Sequence, residues 1–402
     1  MNRLALLALT LAIACGSKPA SPPAAPVVRT AETAQLSLTE LLRELEADVL
    51  ENYLQLGLGN MEAYADIISQ RDHVTLVGIG PSDVTANNSR DCLHTSSSAP
   101  TGATEACDYA RDRLPFRRRP LCLPDSPVDA ACQGIYSKRL NLHVSRDHEV
   151  AWVFDELSYR LPHNQRQAAI PLRFSAVFVR DVERWVMVQE HISYPLPDRL
   201  IAALAEDDQL SAPDSLATGQ SSSDVFVALA RAYLAPSEAD RARLNQNRQA
   251  LIALSPSQRD EQDPSVSGFS DDRIVVFPDP RGEYHGIETL SARSLIDRFG
   301  PKSTLQFRSP RIFLSSSEQV AWMAANLELQ IATPAASGAA QKRSIGMRLT
   351  AVFERDEPGE WHLMQAHVSV PIRKQQLETQ MFGRGLAEDD VLTEPAGALP
   401  QP

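Results

Sequence analysis

Beyond one short run near its start, the chain lacks any stretch of the about 18 uninterrupted apolar residues that a bilayer-spanning helix requires. A transmembrane helix is thereby excluded as its means of attachment. It also lacks an excess of basic residues: 39 Lys and Arg stand against 51 Asp and Glu, a net charge of −12. An acidic surface repels phosphates, so no nucleic-acid partner is expected. The one basic stretch, Arg111 to Arg119 with five arginines, reads as a solvated loop. No G-x-S-x-G, H-E-x-x-H, Walker A or complete G-x-G-x-x-G motif occurs. Cysteine is scarce, at five residues. None of the spacings among Cys92, Cys107, Cys122 and Cys132 is the C-x₂₋₄-C of a structural zinc site.

What is present begins at the N-terminus. Arg3 supplies a positive charge, and Leu4 to Ile13 form an apolar run the length of a signal-peptide core. The run ends at Ala12-Ile13-Ala14-Cys15-Gly16, which resembles the lipobox of bacterial lipoproteins. The resemblance implies a cleaved signal peptide over 1–14 and a lipidated Cys15. Acyl chains on that residue would hold the protein on a membrane. Gly16 lacks the Asp associated with inner-membrane retention, so an outer-membrane location is expected. In an exported chain the four remaining cysteines suggest two disulfides, with three pairings open.

Residues 15–36, rich in Pro, Ala and Ser, read as a disordered tether. Ser37-Leu38-Thr39-Glu40 is a capping box, and apolar residues from Leu41 to Tyr53 follow at helical spacing, predicting a helix to about Leu56. A short helix is expected over Met61 to Ile68 and a strand over His73 to Ile79. A Cys-rich insertion, 85–138, is expected to be loop. Strands are expected at Leu140 to Val144, Val150 to Tyr159, Ile170 to Arg180 and Trp185 to Tyr194. A polar linker, 201–222, separates this first domain (37–200) from a second (223–377), and 378–402 form a polar tail. The second domain predicts helices at Asp224 to Leu234, Glu238 to Leu254 and Ile287 to Phe299. Its strands are expected at Arg273 to Phe277, Arg311 to Leu314, Val320 to Ile331, Ile345 to Arg355 and Trp361 to Val370.

The two strand sets are copies. Val150-Ala151-Trp152 recurs as Val320-Ala321-Trp322, 170 residues on. Arg173-Phe-Ser-Ala-Val-Phe178 recurs as Arg348-Leu-Thr-Ala-Val-Phe353, 175 residues on. Trp185, Gln189, His191, Ser193 and Pro195 recur as Trp361, Gln365, His367, Ser369 and Pro371, at an offset of 176. The offset changes only between strands, where turns absorb insertions, so the chain is a tandem duplication.

The Val-Ala-Trp strand, the strand ending Ala-Val-Phe, and Trp-x₃-Gln-x-His-x-Ser-x-Pro resemble the SnoaL-like branch of the nuclear transport factor 2-like superfamily. Phe277-Pro-Asp-Pro-Arg-Gly-Glu-Tyr-His-Gly286 resembles that family's first strand-to-helix turn. The resemblance implies an α+β fold of two tandem cone-like domains. In each, a curved, mostly antiparallel sheet carries helices that close a pocket.

Strand alternation predicts one face carrying Trp185, Met187, Gln189, His191 and Ser193, with Trp361, Leu363, Gln365, His367 and Ser369 in the second copy. Trp152 and Arg173, and Trp322 and Arg348, are expected beside them. An apolar wall with a few polar groups suits a small-molecule pocket. The competing expectation is that this face packs a helix or a partner sheet, with His and Gln satisfying buried groups. Neither copy offers an acid shared by both on this face, so a binding module for a small apolar ligand or a protein partner is favoured over an enzyme. The alternative is an isomerase- or hydratase-type enzyme with one active pocket, marked by a polar residue deep in one copy only. The second domain, keeping the whole family-like frame, is the expected ligand site. No cofactor is expected, and Asp279, Glu283 and His285 read as a polar turn rather than metal ligands.

Overall fold

The computed structural model describes residues 36–58, 60–69, 74–80, 84–86, 133–163, 166–181, 184–196, 223–234, 274–276, 283–285, 303–333 and 341–372. The signal segment, Cys15, the tether, the basic loop, the four candidate disulfide cysteines and the Glu238 to Leu254 and Ile287 to Phe299 segments lie outside them.

Helix α1 spans Leu38–Leu58. Its start is the predicted capping box: the Ser37 N–H and hydroxyl donate to Glu40 at 2.8 and 2.7 Å, and the Glu40 N–H returns to Ser37 Oγ at 3.3 Å. Leu41, Leu45, Val49, Tyr53 and Leu56 form its buried stripe. Asn60 caps α2, Met61–Ile67, by accepting from the Ala63 N–H. Strands β1 (Thr75–Val77), β2 (Val84–Ala86), β3 (Gly134–Ser137), β4 (Asn141–Val144), β5 (Val150–His163), β6 (Arg166–Asp181) and β7 (Arg184–Ser193) follow. They form one sheet in the order β2-β1-β7-β6-β5-β3, with β4 also on β5.

The second sheet comprises β8 (Ile274–Val276), β9 (Glu283–His285), β10 (Thr304–Leu314), β11 (Val320–Thr333), β12 (Gln341–Arg355) and β13 (Trp361–Ser369), in the order β10-β11-β12-β13-β8-β9. Helix α3, Ser223–Leu234, packs on β13. Both sheets are antiparallel except where β1 joins β7 and β8 joins β13.

The sheets repeat residue by residue. Ser175 pairs with His191 as Thr350 pairs with His367, and Arg173 with Ser193 as Arg348 with Ser369. Even an irregular edge recurs. β3 and β4 occupy the register of β10, which is broken between Arg308 and Arg311 with Ser309 at φ 46°.

Three expectations change. β3 lies within the stretch read as loop, because its Gly134-Ile-Tyr-Ser137 run is too short to show alternation. Glu283–His285, read as part of a turn, form β9 antiparallel to β8, while the rest of the Phe277 to Gly286 segment and the helix expected after it lie outside the described residues. Finally, β7 and β13 each carry a bulge, at Val188 opposite Val177/Phe178 and at Met364 opposite Val352/Phe353. An extra residue reverses the alternation beyond it. Trp185 and Met187 therefore do not share a face with Gln189, His191 and Ser193.

Candidate functional site

The two sheets belong to one compact unit and meet face to face. Val150, Trp152, Val177 and Val188 of the first pack with Val320, Trp322 and Val352 of the second in one apolar cluster, and Met364 joins its margin. Both bulge residues thus point into the seam. At its centre the imidazoles of His191 and His367 stack, 3.9 Å between centroids and 17° between planes. Each ring reaches into the opposite sheet and sits between two hydroxyls. His191 Nδ1 lies 2.9 Å from Thr350 Oγ1 and Nε2 2.7 Å from Ser369 Oγ. His367 Nδ1 lies 2.9 Å from Ser175 Oγ and Nε2 2.7 Å from Ser193 Oγ. The reciprocity is that of a two-fold interface between identical subunits, realised within one chain. Gln365 donates to Val153 O at 2.8 Å, and Arg348 to Gly78 O at 3.0 Å. The Ile372 N–H donates to Ile79 O at 2.8 Å. At one end the two β-turns meet. Ser316 and the Ser317 N–H donate to Glu149, Ser317 Oγ donates to Asp147, and the Arg146 N–H donates to Glu354.

Every residue predicted to line a pocket is therefore in this seam or its apolar cluster. Trp152, Arg173, Gln189 and His191 come from one sheet, and Trp322, Arg348, Gln365 and His367 from the other, all at 4 % exposure or less. The gap beside Gln189 and Gln365 is too narrow for a water molecule. The structure brings these residues together as the wall between two domains, not as the wall of a cavity. The partner-sheet expectation describes their place. Burial holds both imidazoles well below the ordinary histidine value, reinforced by Arg348 at His191 and by His191 and Arg173 at His367.

The other face of the first sheet is covered by α1 and α2, and sequence reasoning missed what it carries. Asp155 and Glu190 are both fully buried there. Asp155 Oδ1 accepts the Arg139 N–H at 2.9 Å, and the carboxyl lies beside the Tyr53 phenol. Oδ2 has no partner in good hydrogen-bond geometry among the described residues. Burial raises this carboxyl to about 6, against hydrogen bonding from Ser137, Arg139 and Tyr53. Burial, with the Asp155 charge, pushes the Tyr53 phenol well above its usual value. The Tyr64 hydroxyl of α2 donates to Glu190 Oε2. Between these pairs lie Asn52, whose amide donates to Met187 Sδ at 3.7 Å, and Phe174, edge-on to Tyr53 at 5.2 Å. The Asn52 Oδ1 has no hydrogen-bond partner among the described residues.

At the corresponding registers the second sheet has no acid. Register places Ala325 where the first has Asp155, and Ala366 where it has Glu190. Tyr233-Leu234 of α3 echoes Tyr53-Leu54 of α1, but the buried Tyr233 hydroxyl has no partner among the described residues. The sequence signal was available as Asp155 and Glu190 at inward positions of one copy against alanines in the other. Strand alternation places Glu190 opposite His191, as observed; what it does not show is that α1 and α2 cover that face. Of the residues weighed as metal ligands, Asp279 is outside the described set and Glu283 and His285 lie on β9. No described cluster of three or more His, Cys, Asp or Glu could hold a metal ion.

The sequence model of the SnoaL-like domain matches residues 122–197 and 265–373, one segment in each repeat. Each copy thus carries a segment that matches the SnoaL-like domain. No curated protein matches it. Among solved structures, an NTF2-like protein with a cystatin-like fold from Novosphingobium aromaticivorans is 11 % identical, over 42 % of this chain and 90 % of its own, at a TM-score of 0.29. The CamKII hub homology domain of Chlamydamonas reinhardtii is 15 % identical over 38 % and 96 %, at 0.27. A protein from Catenulispora acidiphila is 12 % identical over 41 % and 96 %, at 0.29.

Proposed function

We propose that this chain is an exported, membrane-tethered binding protein whose first domain takes the ligand, while the second serves as the structural partner closing the back of its sheet. The observation that carries the reading is the asymmetry of the inner faces: Asp155 and Glu190 under α1 and α2 in one copy, Ala325 and Ala366 in the other. Burying a carboxyl is costly, and a fold that needed only packing could use alanine, as the second copy does. A small, largely apolar ligand with a hydrogen-bond donor would find matching groups between this face and α1 and α2, were the helices to move aside and admit it. Phe174, Met187 and Ile192 would supply apolar area, and Asp155 and Asn52 would supply acceptors. Lipidation at Cys15 would hold the protein outside the cytoplasm, on the outer membrane.

Native mass spectrometry of the mature protein should detect a co-purifying small molecule that is reduced at least tenfold in Asp155→Asn and retained in Ala325→Ser. Equal retention in both variants would overturn the assignment to the first domain. A fatty-acid probe should label the wild type and not Cys15→Ser.

A second reading, an isomerase- or hydratase-type enzyme, is favoured by one observation. A carboxyl raised to about 6 lies near the value a general base needs at neutral pH. That reading expects the bound molecule to be chemically altered by the wild type and bound unaltered by Asp155→Asn.

A further inference from the structure

The seam carries an inference independent of any ligand. Its centre holds two ionisable groups where packing alone would be served by apolar side chains. His191 and His367 are both fully buried and stacked on one another, each ring nitrogen of the pair lies against a hydroxyl of the opposite sheet, and the His367 backbone also hydrogen-bonds to His191. A neutral imidazole donates at one nitrogen and accepts at the other, and a hydroxyl can do either, so four Ser and Thr hydroxyls satisfy two neutral rings. A proton on either ring alters this balance. It would place a cation 3.9 Å from its stacked neighbour, out of contact with water. Arg348 on β12 acts on His191, and Arg173 on β6 acts on His367, both with the sign that opposes protonation. From β12 and β13, Thr350 and Ser369 face His191; from β6 and β7, Ser175 and Ser193 face His367. All four are uncharged. Of the seam-facing carboxylates, Asp147, Glu149 and Glu354 are at its end and engaged by Ser317, Ser316 and Arg146, and Glu156 on β5 pairs across the strands with Arg173.

We propose that the His191–His367 stack is a proton-operated latch between the two domains: neutral, it holds the sheets together, and on taking up two protons it releases them.

The sign follows from linkage. Free histidine protonates near 6.5, whereas burial holds the sealed pair well below that value, so the open form binds more protons below pH 6.5. Acidification therefore favours opening, and an uptake of two protons changes the open-to-sealed ratio about 100-fold per pH unit. Trp152 and Trp322, buried in the seam cluster, are built-in reporters.

The test uses the mature full chain between pH 7.5 and 4, in an Asp155→Asn background so that the inner-face carboxyl does not contribute. Tryptophan emission should shift to the red and the radius of gyration should rise while the far-ultraviolet strand signal persists. The steepness should correspond to about two protons. In H191Q/H367Q, where the ring is replaced by an amide that cannot titrate, the steepness should fall below tenfold per pH unit. A seam that stays sealed to pH 4, or a double variant opening as steeply as the parent, overturns the proposal. Should the double variant fail to fold, the ring resonances of histidine-labelled protein decide. Both rings stay neutral until the emission shift if the latch exists, and protonated rings in a sealed seam overturn it.

Discussion

The two repeats share most of the polar residues of one face and differ in the acids of the other. The faces turned toward each other keep Trp152/Trp322, Arg173/Arg348, Ser175/Thr350, Gln189/Gln365 and His191/His367 at matching registers. The faces turned away diverge at Asp155/Ala325 and Glu190/Ala366. Identity between copies therefore marks the contact between them, while the difference places two buried carboxyls in one copy only. A search for function among the shared residues leads to the glue.

The sharpest way to break this comparison is to truncate a shared residue. His367→Ala removes contacts with two hydroxyls and opens a void beside His191, and should cost roughly 3 kcal/mol. The melting temperature should fall by roughly 10 °C, with the co-purifying ligand unchanged. Unchanged stability would show the seam to be dispensable.

Next in size is Asp155. Its carboxyl is raised to about 6 in the fold against an ordinary 3.8, so the folded state holds a proton that the unfolded chain has already lost. Its contribution is fully present below pH 4 and is lost as pH rises through 6, by about 3 kcal/mol in all. Asp155→Asn, which cannot ionise, should gain on the wild type by up to that amount between pH 4 and 7 in urea unfolding. A constant difference across the range would mean an ordinary, solvated carboxyl.

Smaller effects separate the phenols. Tyr64→Phe loses a hydrogen bond to the Glu190 carboxyl and should cost about 2 kcal/mol. Tyr233→Phe removes a buried hydroxyl with no partner among the described residues, and should stay within about 0.5 kcal/mol of wild type, on the stabilising side. Equal costs for the two would erase the distinction between the inner faces.

Much of the fold was legible in the sequence because its signals are local. The capping box at Ser37, the 3.6-residue stripe of α1 and the alternation along β5 and β6 each depend on near neighbours alone. The repeat made the register of one sheet predict the other. Two features resisted for physical reasons. A bulge is a single inserted residue, and nothing in Trp185-Val-Met-Val-Gln189 reveals it until the strand lies against β6. The face of a strand is likewise readable, but not what covers it. His191 and His367 look alike whether they meet a ligand or each other, and only the stacking of the sheets decides. Chain segments bringing β1 and β8 beside β7 and β13 are long-range choices that periodicity does not encode.

The seam also bears on how the two copies could diverge. In a pair formed from two identical chains, any codon change appears on both sides at once, so an acid introduced under one helix layer is introduced under both. Here each half has its own codons, and the halves are held at fixed stoichiometry by the peptide chain. A change such as alanine for Asp155 or Glu190 touches one half only. A change at Ser193, by contrast, is felt at once by His367 of the other half. Covalent joining thus leaves the outer layers free to take separate paths while the surface between them must change, if at all, in step.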